Sequence, residues 1–159
     1  VLSKKIFVLT GALLIFVLVG YYFLIVHSDI TRHAERMVEA KIPKGAVLVS
    51  NSDRHKQFKT NGEFYAEYLM KPKQVKRFKE SIEEHDKWQP LPASKEFQQL
   101  VAKQIQHALP TDEQTGKYYF KNNENDDSVQ DIMESETYDF TVAVLNEQAG
   151  KLYILKKVR

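Results

Sequence analysis

The sequence predicts an α+β protein: an N-terminal transmembrane helix, then a small antiparallel sheet of about four or five strands with two main helices packed on one face. Three observations predict it. An unbroken apolar run from Ile6 to Val26 follows Lys4 and Lys5. Two later stretches carry apolar residues at helical spacing. Several short runs read as strands, and the last two flank a turn at Gly150.

Fifteen positions from Ile6 to Val26 are Leu, Ile, Val or Phe. Each favours insertion by roughly 0.3–0.6 kcal/mol at a helix centre. At about 1.5 Å per residue the run covers roughly 30 Å, the thickness of a hydrocarbon core. It is longer than the roughly 7–15 apolar residues of a cleaved signal peptide. The expected organisation is a cytoplasmic tail over 1–5, a transmembrane signal anchor over 6–26, a stalk helix and linker over 27–45, and an extracytoplasmic α+β domain over 46–159. Lys4 and Lys5 place the N-terminus inside. Arg32, Arg36, Lys41 and Lys44 count the other way, but so short a tail before a long apolar segment behaves as a signal anchor. The expected location is the cell membrane, single-pass, with the C-terminal domain outside.

The net charge of +2 is owed to Lys4 and Lys5; without them 21 basic side chains face 21 acidic ones. Such a balance argues against nucleic acid as a partner, which calls for a basic excess. The chain has no cysteine. That excludes a disulfide scaffold, a thiolate metal site and a lipid attached through sulfur.

Ser28 can cap a helix from Asp29, with Ile30, Ala34, Met37 and Val38 at helical spacing and Pro43 to stop it. Ala46 to Ser50 is a strand candidate. Asn61-Gly62 marks a turn, and Glu63 to Met70 is an aromatic strand. Pro72 opens a helix to about His85 on a stripe of Val75, Phe78 and Ile82. Trp88 to Pro92 reads as a rigid connector. Ser94 caps a second helix on Phe97, Leu100, Val101, Ile105 and Ala108, ended by Pro110. Lys117 to Lys121 is a short strand. Ser128 to Glu134 is one or two helical turns. Tyr138 to Asn146 and Lys151 to Val158 form a hairpin.

Asp53-Arg54-His55, Phe58 and Asn61-Gly62-Glu63 together resemble the DxHGGFHGDG stretch of an uncharacterised family of small membrane-anchored or exported proteins of Gram-positive bacteria. Trp88 with Leu91-Pro92, Gly116 to Phe120, and Tyr138 to Ala143 with Leu152-Tyr153 are similar to later landmarks of that family. The resemblance implies no function. Lys56, Gln57 and Thr60 stand where the family has glycines, so a site that needs close backbone approach is altered or lost.

Asp53 and His55 are the candidate catalytic residues, since a carboxylate and an imidazole can share a proton or an ion. Two ligands do not make a zinc site, and no metal or cofactor is expected. A structural loop role is the plainer reading. Lys73, Lys76 and Arg77 are the candidate binding residues. They crowd the first half of a helix whose dipole prefers acids there, which points to contact with an anionic surface or to a solvated face. Asn122 to Asp127 is oxygen-rich but lacks calcium-loop spacing. His85 reads as a satisfied helix-end histidine. Tyr65, Tyr68, Tyr118, Tyr119 and Tyr153 suggest an aromatic sheet face. No nucleophile elbow, phosphate loop or H-E-x-x-H helix is present. The expected function is a non-enzymatic binding or accessory module at the bacterial cell surface, with a protein partner. The alternative is a small surface hydrolase or metal-dependent enzyme using Asp53 and His55.

Overall fold

A computed structural model of the chain describes residues 2–54, 61–124 and 128–159, without the side chains of 2–10, 12 and 23–27. Its elements are α1 (Leu2–Val38), β1 (Val47–Asp53), β2 (Gly62–Leu69), α2 (Pro72–Ile82), β3 (Trp88–Pro90), α3 (Lys95–Gln104), β4 (Gly116–Asn122), α4 (Val129–Glu134), β5 (Asp139–Asn146) and β6 (Lys151–Val158). The chain divides into two compact units, residues 1–33 and 34–159.

The first unit is helical throughout its described residues. No break separates the apolar run from the stalk, because nothing around Ser28 stops a helix. Among the described residues, no helix is long and apolar enough to cross a membrane. From Ser28 the helix turns polar, and Arg32 reaches Asp29 at 2.9 Å. The transmembrane helix, and with it the signal-anchor and single-pass assignments, is overturned on that finding.

The second unit begins with the last turn of α1, where Ala34, Met37 and Val38 are buried. Ala40 N–H donates to Glu35 O at 3.2 Å while Glu39 takes φ 55°. This is a Schellman ending with glutamate where glycine is usual.

Among the described residues the sheet has six strands in the order β1-β2-β6-β5-β4-β3, every pair antiparallel. The strand count therefore exceeds the expected four or five. Trp88–Pro90 is the added one: its three residues pair with Lys117–Tyr119, although two nearby prolines disguise it as a connector.

The helices do not share one face. One row of paired residues runs Ala66, Ile154, Ala143, Tyr119, Trp88. Phe78 of α2 meets this face edge-on at Trp88, with ring centroids 5.6 Å apart. The neighbouring row runs Tyr65, Leu155, Val142, Phe120 and points the other way. There Phe97 of α3 packs on Tyr118 and Phe120 at 4.6 and 6.5 Å. Ile132 of α4 joins that cluster. The reason lies in β5, buried at every position from Phe140 to Asn146. A strand covered on both sides needs apolar residues at both parities, which Phe-Thr-Val-Ala-Val-Leu supplies.

The closing hairpin forms as expected, with Asn146 opposite Lys151. Gly150 has φ 65°, and a Cβ there would lie 2.6 Å from Met70 O. Its own carbonyl accepts from Met70 N–H at 2.8 Å, so the hairpin turn is tied to the end of β2.

Candidate functional site

Two clusters of charge sit on the unit 34–159, one on each face. On the α3 face, β2 presents Glu63, Tyr65 and Glu67, and β6 presents Lys151 and Tyr153 beside them. His107 stacks on Tyr65 with centroids 3.9 Å apart and planes 2° from parallel. Its Nε2 lies 3.2 Å from Glu63 Oε1. Tyr65 donates its hydroxyl to Glu67 Oε2 at 3.2 Å, and Lys151 pairs with Glu67 Oε1 at 2.8 Å. Burial, reinforced by the Glu67 charge, pushes the Tyr65 phenol well above its usual range, and burial also raises Tyr153. Both phenols stay protonated, so neither is poised as a base. Each of these carboxylates is already committed to an internal partner.

On the α2 face, Glu39 gathers Lys121 at 2.5 Å and His85 Nε2 at 3.3 Å. The hydrogen bond from Lys121 holds the Glu39 carboxyl below its ordinary value, against a smaller opposing effect of burial. Trp88 Nε1 donates to Val38 O at 3.4 Å below them. His85 Nδ1 is buried with no hydrogen-bond partner among the described residues. Nδ1 does lie 3.7 Å from the Asp86 carboxylate, within ion-pair reach. The cluster ties the end of α1 to β4 and offsets the left-handed backbone at Glu39, which costs a non-glycine residue about 1–2 kcal/mol.

The sheet edges differ. β3 is three residues long, ends in Pro90 and buries Trp88. β1 is seven residues long and, among the described residues, has a strand neighbour on one side only. From Val47 to Ser52 it carries no proline and no charge. Val47 is 54% exposed, Val49 49%, and Leu69, opposite Val47, 43%. Arg54 N–H donates to Glu63 O at 2.8 Å. Counting back by two, Ser52 is hydrogen-bonded to β2 while the amide and carbonyl of Asn51 point out of the sheet. A register shift between Leu48 and Ser50 is the one irregularity of the edge.

Of the residues expected to carry function, Asp53 ends β1 opposite Phe64, and His55 lies outside the described residues. The structure therefore does not bring them together as a described pair. Lys73, Lys76 and Arg77 are exposed on α2, and Lys76 reaches Glu80 of its own helix at 3.9 Å. The end of α2 that prefers an acid is capped instead by Gln74, which accepts from Lys71 N–H at 2.7 Å. Of the oxygen-rich stretch Asn122 to Asp127, residues 125–127 lie outside the description. Among the described residues, no group of three or more His, Asp or Glu could hold a metal. The open edge was missed because its signal is positional: an uncharged Val-Leu-Val-Ser-Asn-Ser strand is unguarded only if it falls at an edge.

Comparison with protein-family models, with characterised proteins and with solved structures finds no match to this chain.

Proposed function

We propose that the protein is a non-enzymatic binding module whose edge strand β1 captures an extended segment of a protein partner. The observation that carries this reading is the unguarded edge. Natural sheets protect edges of this length with lysine, proline, inward charge, a bulge or a covering element. From Val47 to Ser52 β1 has no lysine, proline or charge, and its register shift between Leu48 and Ser50 leaves Ser50 to Asp53 in regular register with β2. A captured strand gains main-chain hydrogen bonds along β1, and alternate side chains supply specificity. Val47, Val49 and Leu69 ask for apolar residues at those alternate positions. A second copy of β1 suits the edge less well. Antiparallel pairing of the seven residues with themselves sets Val47 against Asp53 and Val49 against Asn51, valine against polar groups. The internal pairing of Glu39, Glu63 and Glu67 also favours a scaffold over a reaction centre.

A photo-crosslinking residue at Asn51 tests the proposal in cells, with the same residue at Arg77 as reference. The expected result is one adduct at position 51, mapped to an extended apolar segment of another protein and abolished by Val49→Lys. Equal adducts from both positions, or capture only of a second copy, would overturn it.

A further inference from the structure

We infer that the groove at the end of the sheet, where β2 begins and β6, α3 and α4 end, is a second recognition element that seats the carboxylates of an acidic peptide segment. Two depressions of about 350 and 690 Å³ meet there and share Asn61 and Arg159. Arg54 and Lys157 line the first and Lys103 the second. Four cations thus converge in a chain whose charges otherwise nearly balance.

Among the described residues, two of these cations meet carbonyl oxygens rather than carboxylates. Lys103 Nζ donates to Met133 O at 3.3 Å, and Lys157 Nζ donates to Gln104 O. Carbonyl oxygens position an ammonium without neutralising it. Glu63 also lines the groove, but it is 13% exposed and lies against His107. Glu136 is the other side-chain carboxylate on the groove wall among the described residues.

The two arginines are set by strand ends. Arg159 exchanges main-chain hydrogen bonds with Tyr138 at 2.8 and 3.0 Å, and Arg54 is fixed by its N–H bond to Glu63 O. Each guanidinium carries a planar fork that matches a carboxylate bidentately. Depressions of this size admit several side chains of an extended segment. The groove goes beyond strand capture and does not depend on it.

Amide NMR of the full chain, titrated with hexaglutamate, tests this. Saturable shifts at Arg54, Lys103 and Arg159 are expected, with none from hexaglutamine. Arg54→Gln with Arg159→Gln should weaken hexaglutamate by at least about tenfold, the scale of one lost charge-assisted contact. Lys103→Gln alone, a change on an exposed side chain, should weaken it less, and provides the test if the double variant fails to fold. Val49→Lys should leave hexaglutamate binding unchanged, which separates this groove from strand capture. Shifts spread equally over Lys73, Lys76 and Arg77 would overturn the inference. So would binding of inorganic tripolyphosphate without binding of hexaglutamate, which would make the groove a phosphate site.

Discussion

The β3 edge and the β1 edge belong to one sheet, yet they treat their open backbone oppositely. β3 spans three residues, closes with a proline that has no N–H to offer, and buries Trp88 between Phe78 and Tyr119. The Glu39, His85 and Lys121 cluster sits on the same side. β1 spans seven residues with exposed valines and no charge before Asp53. An exposed edge is a template for another strand unless something prevents it. The difference teaches that one end of the sheet is short, proline-ended and packed, while the other is long with exposed valines.

The largest effect should come from dismantling the closed end. Trp88→Ala removes a side chain that is 4% exposed, and truncating a buried tryptophan costs about 3–5 kcal/mol. Urea unfolding should show that loss, and hydrogen exchange should show β3 and Gln89 opening first. A loss near zero would mean that β3 is not anchored by packing.

Gly116→Ala should come next. Gly116 has φ 139°, and a Cβ would fall 1.9 Å from Leu145 O. It also accepts from Leu91 N–H at 3.1 Å just past β3. Alanine at an incompatible φ costs more than about 1 kcal/mol, read as a lowered thermal midpoint. An unchanged midpoint would show that the β4 backbone can shift freely.

A smaller effect separates the ends by pH. The Glu39 carboxyl is held below its ordinary value of 4.5, chiefly by the hydrogen bond from Lys121. Stabilisation from a depressed carboxylate is fully present above the unfolded value and is lost as pH falls through the folded one. Stability should therefore decline below about pH 4.5, and Glu39→Gln should flatten that part of the profile. The pair is about one-third exposed, Lys121 at 32% and Glu39 at 36%, which keeps the effect modest. An identical profile in the variant would remove Glu39 from the closure of the β3 end.

The smallest effect on stability should come from guarding the open end. Val49→Lys changes a side chain that is 49% exposed, so unfolding should move by within about 0.5 kcal/mol. Strand capture at Asn51 should disappear nonetheless. A large stability loss would mean that Val49 packs internally and that the edge is less open than its exposure implies.

How much of this was legible in the sequence varies by element. The α2 stripe of Val75, Phe78 and Ile82 is buried as its spacing requires. Ser94 caps α3, its hydroxyl accepting from Phe97 N–H at 3.2 Å. α3 stops at Gln104, one residue before Ile105 turns extended, so Ala108 is not on its stripe. β1 runs three residues beyond Ser50 because β2 supplies partners as far as Phe64. Such extension depends on a neighbour and leaves no local trace. Asp53 was identified by residue type alone. The sequence held no signal that Glu63 and His107, 44 residues apart, would meet.

Local patterns determined what can be read within one turn or one hairpin: helix stripes, caps, the β5–β6 hairpin and the requirement for glycine at its turn. Their physical cause is short-range, in backbone sterics and side-chain periodicity. Tertiary structure decided the rest. It turned a proline-flanked tripeptide into the sixth strand and sent the helices to opposite faces. It also left β1, whose residues differ little from those of an interior strand, without a second neighbour. Strand order and edge position come from pairings between distant segments, and only the whole sheet specifies which strand lies outermost.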